Sequence, residues 1–382
     1  MNFELTEDQK KIKESFARIC EKEIAPRAEY IDKEAVFPKE SIELLGKSGF
    51  LGMGFPEEYG GNPGDPITKA LLGEELAKAC ASTYLSAGAS AGLFAVPVWK
   101  FGTEVQKKKY LPSVLSGNKI GALAITEPHA GSDVMGIKTS ARKKDKGWII
   151  NGSKTFITNG PVADYYVVVA YTDKEKKRDG ISLFLVDNGT KGFSRGKPLE
   201  KLGVRGSPTS ELFFDDCEIP EENLLGELNN GFYQLARTLT HGRIGMAVYS
   251  LGIAQACLEE SMNYAQERTA FGRKLAYFQD IHFKIADMKM YIDVARELIF
   301  KAAWMLEQDD PQSILFASIA KLFTSEHATR IASDAVQIFG GYGFMKGYKV
   351  ERLYRDAKLG EIGEGTSEIQ RAIITKFVED LY

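Results

Sequence analysis

The sequence predicts a three-part fold: an α-helical N-terminal domain over residues 1–118, a central antiparallel β-barrel domain over residues 119–228, and a C-terminal four-helix bundle over residues 229–382. Three observations carry this. Apolar residues recur at helical spacing up to about residue 118. Six short β-branched and aromatic runs separated by Gly, Asp and Lys turns then follow, at a spacing that favours a small barrel or sandwich over a nucleotide-binding parallel sheet. From about residue 229 the helical period returns in stretches far longer than ordinary globular helices, which need a bundle to bury their apolar stripes.

Thr6-Glu7-Asp8-Gln9 has capping-box form, and Ile12, Phe16, Ile19, Cys20 and Ile24 continue a helix that Pro26 breaks. Pro38 opens a second helix, followed by a turn-rich connection through Gly52, Gly54, Pro56, Gly60, Gly61, Pro63 and Gly64. Helices are expected again over residues 68–80, 83–101 and 103–115. The strand candidates are IGALAIT, GIKTSARK, GWIINGSKTFIT, DYYVVVAYT, GISLFLVD and ELFFDDCEI. Within the third, Asn151-Gly152 reads as a hairpin turn between two strands. The lysine-rich segments 143–146 and 174–178 read as solvated hairpin tips. Long helices are expected over residues 232–268, 278–307, 313–339 and 366–382.

The 382 residues carry a formal net charge of −3 with acids and bases mixed throughout, so no nucleic-acid footprint is visible. The weakly polar run at 85–98 is too short to span a membrane. Helical patterning begins at the N-terminus with no signal or transit pattern, which reads as a cytoplasmic protein. Cys20, Cys80, Cys217 and Cys257 are far apart and form no CxxC pair, and the four histidines lack ligand spacing, so no metal is expected. Gly341, Gly343 and Gly347 are misspaced for a dinucleotide fingerprint and follow a helix instead of a strand.

The most informative stretch is residues 335–371, AVQIFGGYGFMKGYKVERLYRDAKLGEIGEGTSEIQR. Thr366 onward reads as the start of the last helix, which leaves Glu364 at a turn, flanked by Gly363 and Gly365, with backbone able to approach a ligand closely. From position alone, a catalytic base and an acid that merely complements the helix dipole are both open.

GEGTSEIQR resembles the closing motif of the acyl-CoA dehydrogenases, and three further segments resemble the same family in the same order. The resemblance implies an acyl-CoA dehydrogenase-like fold, FAD as cofactor, and Glu364 as the base that removes the substrate α-proton while hydride passes from the β-carbon to flavin N5. ALAITEPHAGSD at 122–133 is similar to the family's flavin signature. It implies Leu123, Ile125, Thr126 and Ser132 at the flavin edge, with Ser132 also touching coenzyme A. WIINGSKTFITNG at 148–160 implies that Phe156, where the family commonly has Trp, covers the flavin face and that Thr158 reaches N5. THGRIGM implies Thr240 and Arg243 at the thioester. Family members with their base on this helix carry Glu at what is here Gly242, so the resemblance leaves Glu364 as the one base.

Arg268, Phe271, Phe278 and Gln279, with Gln337, Gly340 and Gly341, resemble the set that holds the flavin of a neighbouring subunit, which implies an oligomer, expected as a homotetramer. Thr366 and Glu368 are implied on the cofactor, and Gly363 and Gly365 on the substrate. Electron-transfer flavoprotein is the implied acceptor. Gly363 replaces a Tyr frequent in straight-chain members, and residues 86–92 (SAGASAG) lie by resemblance on the pocket floor. Both point to a branched or alicyclic acyl group such as cyclohexanecarboxyl; close helix packing accounts for the small residues equally well. No arginine on that helix argues against a dicarboxyl substrate. The alternatives are a short straight-chain (butyryl-type) dehydrogenase, an acyl-CoA oxidase, for which the usual added C-terminal domain is missing, and an inactive flavin- or CoA-binding scaffold.

Overall fold

The computed structural model describes residues 4–379. Its first region is helical: α1 (Glu7–Ile19), α2 (Ala28–Glu34), α3 (Lys39–Lys47), α4 (Pro66–Ala79), α5 (Ala81–Ala87), α6 (Val96–Phe101) and α7 (Glu104–Leu115). The capping box at α1 forms as expected: the Gln9 amide donates to Thr6 Oγ1 and the Thr6 amide to the Gln9 side chain. Thr103 and Gln106 repeat it at α7. The single helix expected over residues 83–101 is instead divided, because a π-helical segment, Gly88–Ala95, separates α5 from α6. Its widened turns are tolerated by a run of small side chains.

Eight strands follow: β1 (Gly121–Ala124), β2 (Ser140–Lys144), β3 (Gly147–Thr158), β4 (Tyr165–Tyr171), β5 (Ile181–Asp187), β6 (Phe193–Arg195), β7 (Thr209–Pro220) and β8 (Leu224–Leu225). They make one sheet in the order β6-β7-β3-β2-β4-β5-β8, with β1 paired to β4. Pairing is antiparallel except for β1 with β4 and a single parallel bridge between β2 and β4.

Asn151-Gly152 is not a hairpin turn. β3 runs through it, and the register against β7 shifts there as a bulge. Gly152 has φ 146°, and a Cβ on it would stand 2.5 Å from Thr139 Oγ1, so close backbone approach explains the glycine. The Asn151 amide is occupied across the bulge, donating to Asp216 Oδ1 at 3.0 Å and accepting from the Asp216 amide at 2.8 Å. The actual hairpin turn is Asp145-Lys146, inside the lysine-rich tip.

The helical period returns in α8 (Gly231–Glu267), α9 (Gln279–Glu307) and α10 (Ser313–Phe339), with α11 (Lys349–Ala357), α12 (Leu359–Ile362) and α13 (Ser367–Glu379) behind them. The expected continuation of α13 to Tyr382 lies outside the described residues. α8, α9 and α10 pack side by side, α13 closes on α10, and α4 lies across α8 and α9. Gly252 permits that last contact, since a Cβ there would stand 2.6 Å from Ala77 Cβ. Arg296 of α9 grips buried Glu74 of α4 with hydrogen bonds of 2.7 and 3.1 Å. Farther along, Arg355 of α11 forks onto Asp32 of α2, and the Asp356 carboxylate accepts from the Val204 amide of the β6–β7 connection at 2.5 Å. These ties hold α4 against the bundle and α11 against α2 and the β6–β7 connection. Among the described residues no helix is long and apolar enough to cross a membrane.

Candidate active site

Glu364 lies between α12 and α13, three residues before the helix, in the left-handed region at φ 56°, with Gly365 following at φ 90°. A non-glycine residue held there costs free energy, and such positions concentrate at functional sites. Side chains hold the turn from beneath. Gln370 Nε2 donates to the carbonyls of Glu364 (3.1 Å) and Gly365 (2.8 Å), and Lys321 Nζ of α10 donates to the Gly365 carbonyl at 2.7 Å. Gln370 and Lys321 are both fully buried. Thr366 caps α13 by accepting from the Ile369 amide.

The Glu364 residue keeps some exposure, yet its Oε2 is buried and has no hydrogen-bond partner among the described residues. Burial pushes its carboxyl up to about 7, against the opposing pull of Arg243 and Lys321. Desolvation outweighs two nearby cations. The dipole-complementing role falls instead to Glu368 in the first turn of α13, which its own amide and Thr366 hold below the usual carboxylate range.

Gly242 of α8 faces the carboxylate so closely that a Cβ on it would stand 2.2 Å from Glu364 Oε2 and 3.1 Å from Leu93 Cδ2. Next to it, Arg243 is buried, its Nε has no hydrogen-bond partner among the described residues, and burial lowers its proton affinity while Glu364 raises it. A desolvated guanidinium with an unmatched donor is shaped for a polar ligand. Thr240 does not share this role. It is 1% exposed and its hydroxyl donates back to the Ala236 carbonyl at 3.0 Å, leaving no accessible atom for a thioester.

The π-helical segment is the common wall between this carboxylate and the sheet. Leu93 faces Gly242, while Ser90 Oγ accepts from the Gly121 amide at 2.9 Å and Phe94 packs where a Gly121 Cβ would be. Leu123 in β1 and Ile125 and Thr126 just beyond it are half-buried, and Ser132 is exposed on the following turn. Thr126 accepts from the Thr155 amide at 2.8 Å, which brings β3 alongside. The β3–β7 register slips between Lys154 and Ile157, and Phe156 on that bulge has φ 57° and is 68% exposed, its ring standing out of the sheet beside half-buried Thr158. A solvated aromatic on a strained bulge is a platform for a flat ligand. A flavin ring fits here.

Two buried charges hold this platform that the sequence did not single out. Lys154 and Glu127 are 0% and 3% exposed. Lys154 Nζ donates to Glu127 Oε1 at 2.8 Å and to the Ile125 carbonyl at 2.9 Å, and Glu127 also accepts from the amides of Lys138 and Thr139. The signal was the presence of a Lys and a Glu at inward positions of otherwise apolar motifs.

The other expected cofactor residues form a second cluster. Arg268, at the end of α8, lies over the Tyr342 ring at 5.8 Å, and Phe271 and Phe278 meet edge to face. Arg268, Gly340 and Gly341 line an open cleft of about 420 Å³ with Tyr264, Phe339 and Met345. Gln279 begins α9, Gln337 is exposed near the end of α10, and Phe271 is 95% exposed. Gly242 and Arg268 are 26 residues apart on one helix, about 39 Å at 1.5 Å per residue.

Around Gly363 the expected widening is not found. The position a Cβ would take is 2.9 Å from Met246 Cε, so buried Met246 fills the room that a larger residue 363 would use. The open space lies elsewhere: a Cβ on Gly88 or Gly92 would meet nothing within 4 Å.

A partly desolvated carboxylate, a buried arginine and an exposed aromatic platform are the surfaces this fold leaves free for a ligand. Family models for the acyl-CoA dehydrogenase N-terminal, middle and C-terminal domains match residues 6–118, 122–217 and 229–379. A probable acyl-CoA dehydrogenase of Bacillus subtilis (strain 168) is 47% identical over 377 residues, covering 98% of this chain and 99% of that one. The solved butyryl-CoA dehydrogenase of Megasphaera elsdenii superposes with a TM-score of 0.96 at 43% identity, covering 99% of this chain and 100% of that one. A chain solved in work on the electron transferring flavoprotein of Acidaminococcus fermentans gives 0.96 at 44%, covering 99% of both. The chain belongs to the acyl-CoA dehydrogenase family, as an FAD-dependent oxidoreductase acting on a CH–CH group.

Two outcomes test the geometry. Gly242→Ala should push the Glu364 carboxylate aside and slow flavin reduction by thioesters at least tenfold, with flavin content unchanged; a parental rate would show that the carboxylate is not confined there. Lys154→Met strands a buried carboxylate, which costs about 3–5 kcal/mol. It should lower the thermal unfolding midpoint and release flavin on gel filtration, whereas retention of both would show that the pair does not support the platform.

Proposed function

We propose that the protein oxidises an acyl-CoA thioester to its 2-enoyl-CoA, with Glu364 as the base. The observation that carries this reading is the Glu364 carboxylate, whose buried Oε2 lies against Gly242 with no hydrogen-bond partner among the described residues while Arg243 acts on its charge. The α-hydrogen of a thioester is far too weakly acidic for an ordinary solvated carboxylate. Burial strengthens the base, and hydrogen-bond donors to the thioester carbonyl stabilise the enolate as it forms. Gln370 and Lys321 fix the carbonyls of the 364–365 turn from below, which favours presenting the Glu364 amide to the substrate side. Arg243 holds the polar end of the thioester, and Ser132, exposed on the turn after β1, meets the coenzyme A. Leu123, Ile125, Thr126, Phe156 and Thr158 hold the flavin, which when bound supplies the acceptor for the β-hydride.

The placement of Arg268 at the end of α8, about 39 Å along the helix from the base-facing Gly242, supports a flavin held by two copies of the chain: Arg268, Phe271, Phe278, Gln279, Gln337, Gly340 and Gly341 of one would serve the other, in a homotetramer. Thr366 and Glu368 would add polar contacts at the cofactor. Electron-transfer flavoprotein is the acceptor that the family assignment favours. For the acyl group we infer a compact branched or alicyclic chain, because Gly88 and Gly92 leave the wall of the site open while Met246 closes the space beside Gly363. A short straight chain is the second reading, favoured by the likeness to a butyryl-CoA dehydrogenase.

Glu364→Gln should retain flavin and thioester binding but lose flavin reduction by at least about 10³-fold; normal anaerobic bleaching in that variant would remove Glu364 from the reaction. The active form is the carboxylate, and its folded value is raised to about 7. The reduction rate should therefore rise between pH 6 and 8 and fall as the group protonates below 7, while a flat profile would contradict an ionising base. Anaerobic bleaching by cyclohexanecarboxyl, isobutyryl and butyryl thioesters distinguishes the acyl readings. If the first is right, Gly92→Val should depress the cyclic substrate much more than butyryl; equal losses would favour the straight chain.

A further inference from the structure

Lys321 is an ionisable residue on α10, 0% exposed, to which nothing above assigns a chemical task. Ordinary lysines snorkel to water. This one ends against the catalytic turn, and its hydrogen bond to the Gly365 carbonyl, at 2.7 Å, is the sole one recorded for its ammonium among the described residues. A buried ammonium with one acceptor is an expensive way to brace a turn, and Gln370 already donates to the same carbonyl at 2.8 Å. What Gln370 does not bring is charge.

We propose that Lys321 is a positioning residue for the dehydrogenation, holding the 364–365 turn in its left-handed conformation through the Gly365 carbonyl and keeping the Glu364 carboxylate ionised with its positive charge. This rests on the reading of Glu364 as the base. The charged groups around the pair come from every helix packed there. Arg243 of α8 and Lys321 of α10 favour the ionised Glu364, and burial opposes them. Glu361 of α12 and Glu326 of α10 also act on Lys321. Glu361 is paired with Lys358 at 2.7 Å and Glu326 with Arg371 of α13 at 2.8 Å, and Glu368 of α13, which also feels Lys321, is exposed and held by its own amide and Thr366, so among the described residues Glu364 is the carboxylate near Lys321 with a buried oxygen that no hydrogen bond satisfies. Desolvation, with Arg243 of α8 adding to it, brings the Lys321 ammonium down to about 8, and Glu364, Glu361 and Glu326 oppose that fall, so it still carries its charge at neutral pH. Both partners thus exchange protons close to neutrality, and each ionised form favours the other.

The test is the pH dependence of anaerobic flavin reduction in Lys321→Met, which removes both hydrogen bond and charge, and in Lys321→Gln, which keeps a donor without charge. Both should move the midpoint upward by at least half a pH unit. Lys321→Gln should retain more of the limiting rate than Lys321→Met, and affinity for a non-reducible thioether analogue of the substrate should stay within threefold of the parent. If Lys321→Met does not fold, Lys321→Gln decides alone. Midpoints that superpose on the parental one would overturn the proposal, leaving Lys321 as packing. A parental protein that no acyl-CoA bleaches would instead overturn the reading of Glu364, an outcome visible before any Lys321 variant is made.

Discussion

A single carboxylate out of water governs the rest of this structure. Glu364 is kept off the helix that follows it, in a backbone conformation that side-chain-bearing residues rarely adopt, with no hydrogen bond to its buried oxygen among the described residues. Leaving it there is costly, and the surrounding protein is built to prevent its escape. Gln370 and Lys321 hold the turn from α13 and α10, Gly242 removes the side chain that would displace the carboxylate, and Met246 packs beneath Gly363. The two cations nearest it temper the effect of burial without cancelling it. The result is a base poised near neutrality instead of one fully protonated or fully solvated.

The same economy recurs on the sheet side. A bulge in β3 pushes Phe156 into the open, and the strand is prevented from relaxing by a buried lysine that ties it to Glu127 and the Ile125 carbonyl. At both Phe156 and Glu364, a left-handed residue is presented to the cleft while a buried lysine holds the backbone beside it. The π-helical segment between α5 and α6 links the two, touching β1 through Ser90 and Phe94 and the base through Leu93. Changes in that segment should therefore register in both halves of the site.

Much of this was legible in the residues. The helical period, the capping box at Thr6 and the β-branched runs located the elements, because each depends on neighbours close in sequence. The glycines around Glu364 marked the turn. What could not be read was set by partners far apart in the chain: Lys321 meets Gly365 across 44 residues and Lys154 meets Glu127 across 27. Asn151-Gly152 was misread as a hairpin because the same pair serves a bulge when a neighbouring strand, here at Thr139, presses against the glycine. Gly363 suggested a wider pocket, but whether a missing side chain leaves a void depends on what fills it, and Met246 does.

The most direct measurement is a crystal structure of the protein with FAD and a non-reducible thioether analogue of an acyl-CoA. A Glu364 oxygen should lie about 3–3.5 Å from the substrate carbon corresponding to Cα, the separation of a reactive pair, with Phe156 against the flavin. A complex in which a water or another side chain stands between Glu364 and that carbon would contradict the role given to this carboxylate.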